Sequence, residues 1–321
     1  MVRTFARAFV LAALAASTTV FAQAWPSKTV HVVVPFTAGS TTDIIARAVS
    51  DKLSAGLGQS VIVENRAGAG GTIGAAIVAK ADPDGYTILI HSSSHTANPA
   101  TFASLPFNTE RDFAAVAPIA SLPNVLVIAP SKEIRSVRDL IAFAKANPGK
   151  LNYASAGAGS ATHLNAEKFR TQAGFNAVHV PFKGSPEAIT EVMTGRVDYY
   201  FSPIAPVIGH IQERKLLALA VGSPKRTSAL PDVPTTVEAG VPGSEFNFWI
   251  GMLVPAKTPR EIVNRLHDEV QKALASAEVK ERFAKVGAEP MAMTPQQFDA
   301  YIRDEIAANT RLVNEAGIPK Q

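Results

Sequence analysis

The 321 residues are 47% hydrophobic and 18% charged, a balance that excludes a disordered chain and is long enough for two folded domains. A formal charge of +4 without any run of Lys or Arg excludes a nucleic-acid footprint and suits, at most, a small acidic ligand. With no cysteine, structural disulfides, thiolate metal sites and cysteine nucleophiles are excluded together.

Arg3 and Arg7 precede an apolar run from Ala8 to Ala16 that is short for a bilayer, and Ala22-Gln23-Ala24 fits a small-residue cleavage site. Residues 1–24 therefore read as a secretory signal peptide and the mature protein as exported, an uncleaved anchor being the alternative. The first element is Val30–Val34, a β-branched run suited to a strand buried on both faces and stopped by Pro35. Phe36, Thr37, Ala38, Gly39, Ser40, Thr41 and Thr42 form a hydroxyl-rich loop, and Asp43 opens a helical period. Such a loop offers free backbone N–H groups at a helix start, so it reads as an anion site; an ordinary capped βα loop is the alternative.

Gln59–Asn65 is a second strand, followed by Gly68, Gly70 and Gly71 and a small-residue helix over Ala75–Lys80. The glycines do not match a dinucleotide or P-loop pattern and are assigned to close packing of that helix on the sheet. Tyr86–Ile90 is a third strand that runs into His91, Ser92, Ser93, Ser94 and His95. Strand ends of an open parallel sheet gather at one edge, so a second hydroxyl-loaded end strengthens the anion reading. His91 and His95 are expected to be solvated or capping, with no third ligand nearby for a metal.

Val125–Pro130 is a strand, Ser136–Lys145 an amphipathic helix and Leu151–Ser155 another strand. Gly157, Ser160, Thr162 and His163 follow in a Gly/Ser loop and helix start, the opposing half of the anion site in a second domain. Ser160 and His163 share a helix face, yet no nucleophile elbow accompanies them, and a Ser cap with a His in the first turn is the preferred reading. Val178–Gly184 is strand then turn, Glu187–Thr194 a helix ending at Gly195, and Val197–Pro203 a strand carrying Ser202. Leu216–Val221 is a strand, Pro224–Gly243 ordered coil, and Asn247–Pro255 a strand long enough to cross between domains. The remainder is helical over Pro259–Ala275, Ala277–Lys285 and Pro295–Glu315, with Ile262, Leu266, Val270, Leu274, Phe298, Ile302, Ile306 and Leu312 facing a core. The acidic pairs Asp82/Asp84 and Asp304/Glu305 are placed at turns or helix surfaces, so no catalytic group emerges, and neither a metal nor a cofactor is expected.

Several segments together resemble the Bug family of extracytoplasmic solute receptors: Trp25–Lys28, Val33–Phe36, Val63–Gly71, Asp84–Thr87, Leu151–Ser155, Val180–Gly184, Leu230–Thr235 and Glu238–Gly240. The resemblance spans nearly the whole mature chain. It implies an α/β fold, a two-lobed type II periplasmic binding protein (Venus flytrap), each lobe a mixed, mostly parallel sheet flanked by helices. Residues 25–124 and 248–321 would form the first lobe and 125–247 the second. It also implies a monomeric receptor that delivers a small organic anion to the membrane subunits of a tripartite tricarboxylate-type transporter. The ligand carboxylate would lie between Phe36–Asp43 and Gly157–His163, with Ser92, Ser93 and Ser94 completing the first side. Lys183 and Ser202 complete the candidate set. Ser40 stands where the family's loop usually has a second Gly, which adds a hydroxyl and restricts the backbone; Ser202 stands where many relatives carry Asp and cannot supply a charge to pair a ligand amine, so an amino acid is not the expected ligand. Of the aromatic residues that could wall a ring, Phe36 and Phe182 are left open, whereas Phe201 and Trp249 are assigned to core. An exported serine hydrolase and a ligand-presenting sensor are the rival functions.

Overall fold

The computed structural model describes residues 25–321, so the signal-peptide reading of residues 1–24 lies outside the described residues. Two mixed sheets organise the chain. The first contains β1 (Val30–Val34), β2 (Val61–Asn65), β3 (Thr87–Ser92), β4 (Phe113–Leu122), β10 (Phe248–Pro255) and the short β11 (Glu289–Pro290), in the order β11-β4-β10-β3-β1-β2. The second contains β5 (Asn124–Ile128), β6 (Asn152–Ser155), β7 (Val178–Pro181), β8 (Tyr199–Pro203) and β9 (Leu217–Val221), in the order β7-β6-β8-β5-β9.

Parallel pairing is confined to β1 with β2 and β3, and to β6 with β7 and β8. The remaining pairs are antiparallel, so the sheets are mixed as expected but less parallel than the resemblance implied. The reason is the chain path. It leaves the first sheet directly from β4 into β5, across Pro123, and returns through the coil from Gly222 to Asn247 into β10. Strands entering and leaving a sheet at the same edge of the molecule must run against their neighbours.

The β1 strand is built as its sequence dictates, with Val30, Val32 and Val34 fully buried on one face and Val33 on the other. Helix α1 (Thr41–Leu57) covers the first face through Ile45, Val49 and Leu53. On the second face, Val33 and Leu89 pack with Ala75 and Val78 of α2 (Thr72–Ala79) and with Trp249, Phe298 and Ile302. Each such side chain withdrawn from water contributes about 1.5–3 kcal/mol. In the second sheet, Leu126, Tyr153 and Phe201 pack under Leu140 of α4 (Val137–Ala146) and Phe169 of α5 (Ala161–Ala173). Val125, Val127 and Tyr200 face Ala188, Ile189 and Val192 of α6 (Ser185–Met193).

Helix α3 (Ser94–Thr101) and β4 have no counterpart in the sequence reading. The first carries Pro99 within it, and the second is alanine-rich and contains Pro118, both poor local signals. Pro118 is accommodated where the β4–β10 register shifts between Ile250 and Gly251, a position that needs no N–H. The strand expected to cross between domains does not cross: β10 pairs along its length with β3 and β4 of the first sheet, and the coil before it makes the return. There Gly222 N–H donates to Asn124 O at 2.7 Å and Phe246 N–H to Gly222 O at 2.7 Å, tying the two crossings side by side. A short helix α7 (Ile208–Gln212) precedes β9. The helices α8 (Arg260–Ala275), α9 (Ala277–Lys285) and α10 (Pro295–Glu315) follow as expected, except that Val313 rather than Leu312 is the buried residue of the last turns.

Candidate ligand-binding site

Four helices begin around one cavity between the two sheets. Its walls include Thr41 and Thr42 at the start of α1, Ser94 at the start of α3, Thr162 in the first turn of α5 and Ser185 at the start of α6. Phe36, Ser40, Ser92, Ala156, Pro203 and Phe248 complete the lining. None of these residues is charged. The first N–H groups of a helix have no partner within it, and the aligned peptides leave partial positive charge there. Convergence of such ends, interleaved with hydroxyls, favours a negatively charged guest. The buried Thr41 hydroxyl has no hydrogen-bond partner, which leaves a donor and acceptor in the cavity wall.

The first-sheet loop is held by charge. Asp43 accepts Gly39 N–H at 2.9 Å, Arg47 Nε–H at 2.9 Å and Asn65 Nδ2–H at 2.9 Å, while Asn65 also donates to Phe36 O at 3.0 Å. Burial raises the Asp43 pKa, but hydrogen bonds from Arg47, Gly39 and Asn65 and the Arg47 charge outweigh it, and the carboxyl titrates below its ordinary value. Gly39 has φ +79°, which the turn before the helix requires and a side chain would strain. Ser40, in place of a second glycine, has ordinary extended backbone and uses its hydroxyl to accept Ser185 N–H from the other half at 3.2 Å.

The second-sheet loop is held without net charge. The rings of His163 and His179 stack with centroids 3.9 Å apart, and Tyr153 stacks on His179 at 5.0 Å. His163 Nδ1 accepts Gly159 N–H at 3.2 Å, so in the neutral ring the proton sits on Nε2. His179 Nε2 and Ser155 Oγ lie 2.6 Å apart, and Ser155 Oγ accepts Gly157 N–H at 3.1 Å. Burial, with the Arg170 charge behind it, brings the His163 pKa down to about 4. Burial and the His163 ring bring His179 to about 3. Ser160 caps α5 by accepting His163 N–H at 3.3 Å, and Thr162 Oγ1 accepts Ala156 N–H at 2.9 Å.

The two halves are in contact around the cavity. Ala161 N–H donates to Ser94 Oγ at 2.9 Å, Thr37 Oγ1 to Glu187 Oε2 at 3.1 Å, and Asn98 Nδ2 to both Gly159 O and Gly70 O at 3.2 and 3.3 Å. Gly70 lies so close that a Cβ there would sit 2.3 Å from Ala158 O. The glycines after β2 serve two packings: Gly70, expected to pack its helix on the sheet, meets the opposite half instead, and it is Gly74 that meets Pro35 of its own sheet. Helix α3 is set at the cavity by Thr96, whose hydroxyl donates to Glu305 Oε2 at 3.2 Å. Glu305 is not on a helix surface as its neighbourhood suggested. It also accepts Trp249 Nε1–H at 2.6 Å and the Tyr301 hydroxyl at 2.8 Å, and burial raises its pKa despite these donors.

Of the sequence-predicted residues, Phe36, Ser40, Thr41, Thr42, Ser92, Ser94 and Thr162 line the cavity. Ala38 and Gly39 are exposed, Asp43 and His163 brace the two loops, and Gly157 forms part of the inter-half seam. Lys183 is exposed and does not reach the lining. The Ser202 hydroxyl donates to Pro203 O at 3.0 Å, and the buried Ser93 hydroxyl is without a partner outside the lining. Phe201 and Trp249 are core, as expected. His91 and His95 are fully buried rather than solvated, packed ring to ring between Phe36 and Phe113, and burial lowers both, His95 to about 3. Sequence reasoning missed Ala156, Ser185, Pro203 and Phe248. Only Ser185 carried a signal, as a residue preceding Pro186 at a helix start. No cluster of three metal-ligating side chains occurs among the described residues.

The sequence matches the family described as tripartite tricarboxylate transporter family receptor over residues 45–318. The chain belongs to that family. It is 36% identical to the protein BugT of Bordetella pertussis over 300 residues, covering 93% of this chain and 92% of that one. Among solved structures, Rpa4515 of R. palustris with adipate shares 36% identity at a TM-score of 0.89, covering 92% of this chain and all of that chain (100%). MatC from Rhodopseudomonas palustris with bound malate shares 32% identity at a TM-score of 0.86, covering 90% and 100%. This receptor therefore has the periplasmic binding protein fold and is a solute-binding protein rather than an enzyme. Its Ser160 and His163 agree: Ser160 is a helix cap, and His163 Nδ1 is occupied by a backbone N–H.

Proposed function

We propose that this receptor captures a small organic carboxylate in the cavity between its two sheets and presents it, in the periplasm, to a tripartite tricarboxylate-type membrane transporter. The observation that carries the reading is an uncharged cavity at which four helices begin, with the Thr41 hydroxyl unpartnered in its wall. Peptide dipoles and hydroxyls hold an anion without a fixed cation, and their hydrogen bonds strengthen as water is excluded. The relatives solved with adipate and with malate support an acid as the ligand class. Residues 25–124 with 248–321 would move as one lobe against 125–247, turning about the paired crossings at Asn124 and Gly222. With no carboxylate in the lining and Ser202 bonded to Pro203, the site offers no opposite charge to a ligand ammonium, so amino acids are disfavoured.

The test is a thermal-shift screen of mono-, di- and tricarboxylates, followed by calorimetry. A ligand held at one hundred times its Kd stabilises the native state by about 2.7 kcal/mol, enough to raise the melting point visibly. The reading predicts shifts with dicarboxylates and weaker ones with aspartate or glutamate. A screen in which no carboxylate shifts the transition would refute it.

A further inference from the structure

We infer that Phe248 sets the length of the acid this site accepts, an inference that rests on the carboxylate reading above. Phe248 opens β10 where the chain returns to the first sheet, and it is 5% exposed. It lines the solute cavity described above. It also lines a second hollow, a groove between the two chain crossings that is bordered by Pro123, Phe246, Lys225, Arg226, Glu289 and Tyr301. No other residue among those described borders both spaces. Phe248 is therefore the residue at which the chamber of hydroxyls and helix ends adjoins the larger groove.

The charges at the groove give this junction a consequence. Arg226 is paired with Glu238 at 2.9 Å, whereas the Lys225 ammonium and the Glu289 carboxylate, both at the groove, have no ion pair among the described residues. A short acid is contained in front of the ring. A longer one must push its second carboxylate against the ring, burying charge on an apolar face without a partner. With the ring cut back, the same carboxylate would extend into the groove, toward water and the Lys225 ammonium. Chain length, and not the identity of the carboxylate end, is what Phe248 reads.

The experiment is calorimetric titration of the straight-chain α,ω-dicarboxylates from succinate to suberate against the native protein, Phe248→Leu and Phe248→Ala, each checked for native circular dichroism. One methylene in an apolar pocket discriminates by roughly tenfold or more. The suberate-to-succinate affinity ratio should accordingly rise by at least about tenfold in Phe248→Ala and by less in Phe248→Leu. Should Phe248→Ala fail to fold, the same ratio in Phe248→Leu decides. Native binding with an unchanged order of preference in the folded variants would overturn the inference and leave the carboxylate reading standing. Silence of the native protein across the series would remove that reading and this inference together.

Discussion

The two loops that face each other across the cavity do the same job by different chemistry. The Phe36–Asp43 loop hangs on an ionised carboxylate with three donors, one of them a guanidinium. The Ala156–His163 loop hangs on two stacked neutral imidazoles and a serine. Charge-assisted bonds are the stronger kind, and neutral imidazole is the form that acid removes. The Asp43 anchor is therefore robust to acid and sensitive to loss of one side chain, whereas the imidazole stack, like the buried His91 and His95 behind Phe36, is what acid opposes.

The largest effect is expected from Asp43→Ala, which strands Gly39 N–H, Asn65 and Arg47 together. We expect a loss of about 3 kcal/mol in urea denaturation, and weaker solute binding, because the loop that carries Ser40 and Thr41 loses its anchor. A loss below about 0.5 kcal/mol would erase the contrast between the loops.

Acid should separate the two sides. His163 and His179 titrate near 4 and 3 in the folded chain and near the ordinary 6.5 when unfolded. Between those values the unfolded chain binds more protons, so stability falls as pH drops from about 6.5 toward 4. The Asp43 carboxyl has a depressed pKa, so its contribution persists through that window and is lost only below the ordinary aspartate range. The melting point should fall between pH 7 and 4, with a shallower slope in His179→Gln and an unchanged slope in Arg47→Ala. Parallel slopes in all three would show that the histidine stack does not report on acid.

The smallest effect is expected from Thr41→Val. The hydroxyl has no partner, so its removal should leave stability within about 0.5 kcal/mol of native while lowering solute affinity about fivefold. Unaltered affinity would place the solute away from α1.

Much of this was legible because it is local. The Val30–Val34 strand, its hydroxyl loop and the Ser160 cap are each written within a dozen residues, and the structure keeps them. What was not legible depends on the chain folding back over a long distance. Pro203 and Phe248 reach the cavity from opposite sheets, and nothing near either marks it as a wall. The role of Asp43 required Asn65, a strand away, and Glu305 passed for a surface residue because its donors lie on β10 and α3 as well as on its own helix. His91 and His95 misled for a related reason: a histidine between serines resembles a solvated turn until aromatic rings from other elements enclose it.

The glycine seam at Gly70 has a bearing on breadth of diet. Main chain meets main chain there, bridged by the Asn98 amide, and none of Gly70, Gly159 and Asn98 lines the solute chamber. In the lobe motion proposed above, jaws that meet at this seam register closure whatever they hold. Evolution can then exchange the residues that choose the cargo without retuning the bite.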